Sequence, residues 1–212
     1  MVSERLSVRP KAPEDDQLVD RAEAGDAQAF ETLVIRYQDR VYNLLCRLTG
    51  SGEDAEDLTQ ETFLKAYRAL SSFRRGSKFY TWLFRIAVNA GYSHGRKRAL
   101  RQRVEGVSLD APANVDREHD PAWRDQMSTA EPGPSEVLEK RQLCERIRHG
   151  LAKLDDDFRA VVLLRDIEGM DYGSISETLD ISYAAVRSRL HRARSKLAHV
   201  LKDLNPQRQM AS

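Results

Sequence analysis

Between Phe73 and Arg103 the chain carries nine cationic side chains, Arg74, Arg75, Lys78, Arg85, Arg96, Lys97, Arg98, Arg101 and Arg103, with no Asp or Glu among them. Positive charge this dense and uncompensated attracts a polyanion. A phosphate backbone gains most, because each neutralised phosphate releases condensed counterions. Phe73, Phe79, Tyr80, Trp82, Phe84 and Tyr92 are interleaved with the cations. Aromatic faces in a basic groove are what unpaired bases stack on, at about 1–3 kcal/mol per base, and duplex binding alone does not need them. From Tyr80 onward, Leu83, Ile86, Ala87 and Ala90 recur at helical spacing as a buried stripe should. Trp82, Arg85, Asn89 and Ser93 follow the same spacing on a second face, offering an aromatic plane, a cation and an amide that both donates and accepts. Periodicity alone fits equally well a Trp82 that is core and arginines that form a solvated face. The candidates for a nucleic-acid strand are Phe73, Lys78, Tyr80, Trp82, Arg85 and Asn89. Gly91 and Gly95 each weaken a helix by about 1 kcal/mol relative to Ala, which predicts fraying at its basic end.

A second basic element lies near the end of the chain. Ile175 and Leu179 anchor a short helix, Asp180-Ile181-Ser182 makes a turn, and Ser182 can cap a longer helix with Val186, Leu190, Ala193 and Leu197 as its apolar stripe. That helix bears Arg187, Arg189, Arg192, Arg194 and Lys196, and no acid occurs from Ser182 through Lys202. A short helix, a tight turn and a longer basic helix make a helix-turn-helix. The N-terminal part of its second helix enters the major groove. Tyr183, Ala184, Arg187, Ser188 and His191 are then the base-edge candidates, with the later cations left for phosphates. A basic surface helix without a ligand is the plainer alternative.

The acids are gathered elsewhere. In SGEDAEDLTQETFLKAYRAL, Ser51 and the first acids suit a helix N-terminus. Asp54, Asp57 and Glu61, with Gln60 beside them, continue as a ridge opposite Ala55, Phe63, Ala66, Tyr67 and Leu70. By charge pattern this is a solvated face or a dock for a positively charged protein surface. No His or further acid is placed to complete a metal site, and no metal or cofactor is expected.

These stretches need helices in two groups to position them. Leu18, Val19 and Ala22, a Gly25-Asp26 break, then Phe30, Leu33, Val34, Tyr37, Val41, Leu44, Leu45 and Leu48 predict an amphipathic helix pair ending at Gly50-Ser51-Gly52. Further on, Val137, Leu138, Leu143, Ile147 and Leu151 predict one helix, and Phe158 to Leu164 another, introduced by three aspartates and ended by Gly169. Between the groups the periodicity stops. Pro112, Pro121, Pro132 and Pro134 punctuate a stretch whose acids, Glu105 to Glu131, number seven against Arg117 and Arg124. A segment of that length is long for a loop inside one domain. The expected architecture is all-α: two small helical domains joined by a flexible acidic linker, the second a helix-turn-helix domain. The boundaries are a lead-in over 1–16, a first domain over 17–103, a linker over 104–135, a second domain over 136–204 and a tail over 205–212. The net charge of +1 conceals this segregation. Cys46 and Cys144 form no ligand pattern, and no apolar run suits a signal peptide or a membrane span, so a cytoplasmic location is expected. No Ser/His/Asp set, Gly-rich phosphate cradle or paired acid and base is present, so no enzyme is expected.

DAEDLTQETFLKAY at 54–67, FYTWLFRIAVN at 79–89, and the pair DYGSISETLDIS and AAVRSRLHRARSKL within 171–197, in that order, resemble the bacterial sigma factors of the extracytoplasmic-function group. The resemblance implies that Asp54, Asp57, Gln60 and Glu61 dock on the clamp helices of the largest subunit of core RNA polymerase. It implies that the Ser71–Ser77 loop and the helix from Phe79 recognise and melt the minus-ten element, with Trp82 and Asn89 holding the displaced strand. Arg187, Ser188, His191 and Arg192 fall at contact positions for the minus-thirty-five element. The partners it implies are core polymerase, at its clamp helices and flap, promoter DNA as duplex and single strand, and a separate anti-sigma protein. A freestanding helix-turn-helix regulator of duplex DNA is the alternative; it leaves the acidic ridge and the Trp82–Asn89 face without a role.

Overall fold

The computed structural model describes residues 14–74, 76–105 and 134–203. Among them there are eight α-helices and no strand. The first group holds α1 (Asp15–Glu23), α2 (Ala27–Thr49), α3 (Gly52–Ala69) and α4 (Phe79–Glu105). The second holds α5 (Pro134–Ala152), α6 (Asp156–Val162), α7 (Tyr172–Leu179) and α8 (Tyr183–Asp203). The expected lead-in, most of the expected linker and the tail lie outside the described residues. At the linker's edges, α4 runs on to Glu105 and α5 starts at Pro134.

Local chemistry sets the breaks. The Asp26 carboxylate accepts from the Gln28 and Ala29 amides at 3.0 and 3.3 Å, capping α2, and also accepts from the Arg21 guanidinium. Ser51 caps α3 by accepting from the Asp54 amide at 3.2 Å. The Asp15 carboxylate accepts from Arg36 and the Tyr37 hydroxyl, tying α1 to α2. Burial and the adjacent Asp15 push the Tyr37 phenol well above its usual range.

The axis of the molecule is α4. Phe79, Leu83, Ala87 and Ala90 are buried in the first domain with Leu33, Val41, Leu44, Leu45, Ala55 and Ala66 from α2 and α3. Gly91 does not fray this helix, contrary to the sequence expectation. A Cβ there would lie 3.4 Å from Leu48 Cδ1 and 3.5 Å from Leu45 Cδ2, so the missing side chain is what lets α2 and α4 approach. The lost propensity is offset by that packing.

In the second domain, α6 runs on into a π-helical turn over Leu163–Ile167 in which the Glu168 amide donates to the Leu163 carbonyl. Leu163, Leu164, Met170, Ile175, Val186, Leu190 and Ala193 make its core. Gly150 permits close contact of α5 with α8, since a Cβ there would meet Leu197 Cδ1 at 2.8 Å. The two domains touch: α7 packs across the first half of α4, where Thr81, Phe84 and Val88 are buried.

Candidate nucleic-acid interface

The aromatic and cationic residues of the Phe73–Arg103 stretch separate into three populations. Trp82 is only 8% exposed and Phe73 only 7%. Their rings lie 5.1 Å apart between centroids, and each packs on Phe79, at 5.8 and 6.1 Å. Phe73 and Trp82 therefore present no free face to a base here. They make an aromatic cluster that fixes the 70–78 loop against the start of α4. Of the two readings that the spacing of Trp82 allows, the structure has the core one, because Phe73 folds back over the start of the helix. Tyr80 is half-buried on another side, its hydroxyl 3.3 Å from Ser174 Oγ of α7, with the Lys78 ammonium 5.9 Å from its ring.

What α4 leaves in solvent is a polar stripe. Lys78, Arg85 and Asn89 are exposed, and Arg96 joins them one further step along the same face. Lys78, Arg85 and Arg96 have no carboxylate partner among the described residues. Sequence reasoning counted Arg96 among the cations of the stretch without placing it on this face; its spacing of seven from Asn89 is the signal that does.

On α3, Asp57, Gln60 and Glu61 are exposed, and Glu61 pairs with Lys65 at 2.6 Å. Asp54 turns toward α4 instead, its carboxylate 3.3 Å from His94 Nε2 and 3.9 Å from Arg98 Nη1. Leu64, 49% exposed, continues the ridge one turn beyond Gln60 and Glu61. Tyr67, assigned to the core side from the sequence, is 53% exposed and only edges against Phe30. The ridge is thus acidic, amide-bearing and apolar at its end, and it was the apolar end that charge counting overlooked.

The helix-turn-helix is built as its residue types dictate. The Asp171 carboxylate caps α7, accepting from the Ser174 amide at 2.9 Å and the Ser174 hydroxyl at 2.8 Å; these bonds hold its carboxyl below the usual range. Asp180 takes the turn in the left-handed conformation, φ 52°, which Asp tolerates better than most side chains. Ser182 caps α8 through the Ala185 amide at 3.2 Å. With Val186, Leu190 and Ala193 turned into the core, Tyr183, Ala184, Arg187, Ser188, His191 and Arg192 are all exposed. The later cations are occupied differently from the phosphate-binding role expected of them. Arg189 pairs with Asp157 at 3.1 Å, Arg194 with Asp166, and Lys196 with Asp155 at 2.7 Å. Arg187 and Arg192 make no such pair among the described residues, so α8 keeps its unneutralised charge on the side that carries the base-edge candidates.

Comparison with known proteins agrees with this division. A family model of Sigma-70 region 2 matches residues 33–101, and one of Sigma-70 region 4 matches residues 144–197. The chain is 34% identical over 191 residues to the RNA polymerase sigma-H factor of Pseudomonas aeruginosa, covering 90% of this chain and 95% of that protein. It is 36% identical over 190 residues to the ECF RNA polymerase sigma-E factor of Escherichia coli, again covering 90% and 95%. Among solved structures, the sigma factor RpoE of Bartonella quintana, in complex with the anti-sigma factor NepR, superposes with a TM-score of 0.64 at 25% identity, over 83% of this chain and 98% of that one. CnrH, in complex with the cytosolic domain of CnrY, superposes with a TM-score of 0.62 at 27% identity, over 89% and 97%. Two matched regions in the right order, joined to relatives matched nearly end to end, place the chain in the sigma-70 family, as an RNA polymerase sigma factor of the extracytoplasmic-function group.

Proposed function

We propose that residues 17–103, region 2, hold core RNA polymerase on one side and a melted promoter strand on the other, while residues 136–204, region 4, read the upstream duplex. The observation that carries this reading is the division of region 2. Asp57, Gln60, Glu61 and Leu64 form an exposed ridge on α3, and Arg85, Asn89 and Arg96 of α4, with Lys78 just before it, a separate exposed stripe. A protein partner with a basic surface and a nucleic-acid strand can therefore be bound at once. Asp54 supports the ridge from its place between α3 and α4. Phe73 and Trp82 act by shaping the loop beside the strand, and Tyr80 contributes once α7 has moved away. In region 4, Arg187, Ser188 and His191, with Tyr183 and Ala184, meet base edges, and Arg192 meets phosphate.

The protein acts in the cytoplasm by binding and contributes no chemistry of its own. Among the described residues no helix is long and apolar enough to cross a membrane. An anti-sigma protein is the expected regulator, since the solved relatives that superpose on both domains include one bound to such a factor.

The test is binding to core polymerase and promoter-dependent transcription by wild type and the double variant Asp57→Arg, Glu61→Arg. The expected result is tight wild-type binding and at least a tenfold loss in the variant, about 1.4 kcal/mol or more, with unchanged circular dichroism. A wild-type protein that ignores polymerase yet binds duplex DNA would make this a freestanding regulator instead.

A further inference from the structure

Region 4 contains a stack of planar groups that begins against its core and ends in solvent. Arg165, in the π-helical turn, donates from Nη1 to the Met170 carbonyl at 2.7 Å. Its guanidinium lies 5.2 Å from the centre of the Tyr172 ring, within cation–π reach. Tyr172, the first residue of α7, packs in turn on Tyr183, the first residue of α8, with ring centroids 5.5 Å apart and planes at 55°. Tyr172 is half-buried against the core, whereas Tyr183 is 60% exposed.

We propose that Tyr183 is a specificity-determining residue of region 4, its ring held by Tyr172 and Arg165 against the 5-methyl group of a thymine in the upstream duplex. The inference rests on the reading of α8 as the helix that enters the major groove, and it adds which base Tyr183 selects and what positions the ring. Three observations lead to it. The first is place. Tyr183 opens α8, and the N-terminal part of that helix is what meets base edges. It precedes the exposed Arg187 by about one helical turn, about 5.4 Å. At about 3.4 Å per base pair, its ring falls one or two pairs from the pair that Arg187 reads. The second is chemistry. Thymine alone presents a methyl group in the major groove, and an apolar surface is what recognises it. Arg187, Ser188 and His191 on this face are polar and Ala184 offers a single methyl, so Tyr183 supplies the large apolar surface. The third is preorganisation. A tyrosine on a helix end ordinarily keeps rotamer freedom that binding must remove. Here the Tyr172 ring already restricts it, and Tyr172 is itself fixed by Arg165 on its other side.

The experiment uses holoenzyme assembled from the full chain and core polymerase, with a pool of randomised DNA duplexes from which wild type selects its upstream element. In the selected duplex each thymine is then replaced, one at a time, by uracil, which lacks only the 5-methyl group. Affinities are compared for wild type, Tyr183→Phe, Tyr183→Ala, Tyr172→Phe, Tyr172→Leu and Arg187→Ala, each checked for native circular dichroism before assembly. The expected result is a thymine, within about two pairs of the position at which Arg187→Ala relaxes base preference, whose replacement weakens wild type and Tyr183→Phe about fourfold, the worth of one buried methyl. Tyr183→Ala is expected to ignore that replacement. Tyr172→Leu is expected to lose the methyl dependence while keeping the preference at the Arg187 position, and Tyr172→Phe, which retains the ring, to keep both. A mere fastening of α8 to α7 by the two rings would not depend on a methyl group in the DNA. A wild type indifferent to every uracil, a selected element with no thymine at that distance, or a Tyr183→Ala protein with undiminished methyl dependence overturns the thymine contact. So does a Tyr183→Phe protein as insensitive as Tyr183→Ala, which would move the role from the ring to the hydroxyl. Full methyl dependence in Tyr172→Leu overturns the positioning role of the stack. If no upstream element is selected and Arg187→Ala changes no preference, the reading of α8 fails, and the thymine contact with it.

Discussion

Asp171 shows how much of the reading motif hangs on one side chain. Its carboxylate satisfies the Ser174 amide at the start of α7 and orders the Ser174 hydroxyl as well. Replacing such a cap with Ala costs about 1 kcal/mol, and Asp171→Ala should lower the stability of region 4 by about that much at pH 7. The hydrogen bonds from Ser174 hold the Asp171 carboxyl below its usual value. A carboxyl lowered on folding contributes stability that is present above its unfolded pKa, about 3.9, and is lost as pH falls through the folded one. The difference between wild type and Asp171→Ala in urea unfolding should therefore shrink as pH falls below about 4; an equal difference at pH 3 and pH 7 would mean that the charge plays no part. Single residues were unevenly legible in the sequence. Arg85, Asn89 and Arg187 were found because a polar residue at a helical interval must face water or a ligand. Trp82 shared a face with them by spacing alone, and spacing does not say that the 70–78 loop folds back to cover it.

Among the elements, α4 asks most of its sequence. It must pack on both sides and still expose a cationic stripe. Leu83, Ala87 and Ala90 were legible as a buried row, but Phe84 and Val88 make a second buried row at four-residue spacing. A helix apolar on two sides is a central helix, and that inference was available from the pattern. The two glycines of α4 divide by what lies above them. At Gly91 the side chains of Leu45 and Leu48 are already in contact distance of an added Cβ, whereas at Gly95 the nearest atom is Asp156 Oδ2, 4.0 Å away. Gly91→Leu should cost about 1–3 kcal/mol by forcing α2 and α4 apart. Gly95→Ala should gain up to about 1 kcal/mol in helix propensity. Thermal unfolding of the two variants checks both signs; a tolerated Gly91→Leu would mean that close approach is not what that glycine provides.

At the level of the whole molecule, the sequence read as two domains and a linker, and the matched regions fall within those two domains. It did not reveal that the domains pack together, because the residues that meet there, Tyr80 with Ser174 and Thr81 with Thr178, sit in ordinary helical patterns and Arg159 looks like an ordinary surface cation. Arg159 in fact binds the ends of two helices far apart in the chain. It donates to the Leu151, Ala152 and Leu154 carbonyls at the end of α5, and to the Leu48 carbonyl at the end of α2. The last carbonyls of a helix lack intrahelical partners and carry the negative end of its dipole, so one guanidinium serves both termini. Arg159→Met keeps the length of the side chain and removes its donors. Each hydrogen bond lost is worth about 0.5–1.5 kcal/mol, which corresponds to roughly two- to tenfold faster local opening. Amide hydrogen exchange should then speed up in the last turn of α5 and, in the same variant, in the last turn of α2, with α1 unchanged. Faster exchange confined to α5 would restrict Arg159 to region 4, and the domains would be joined only at the α7 end of their interface.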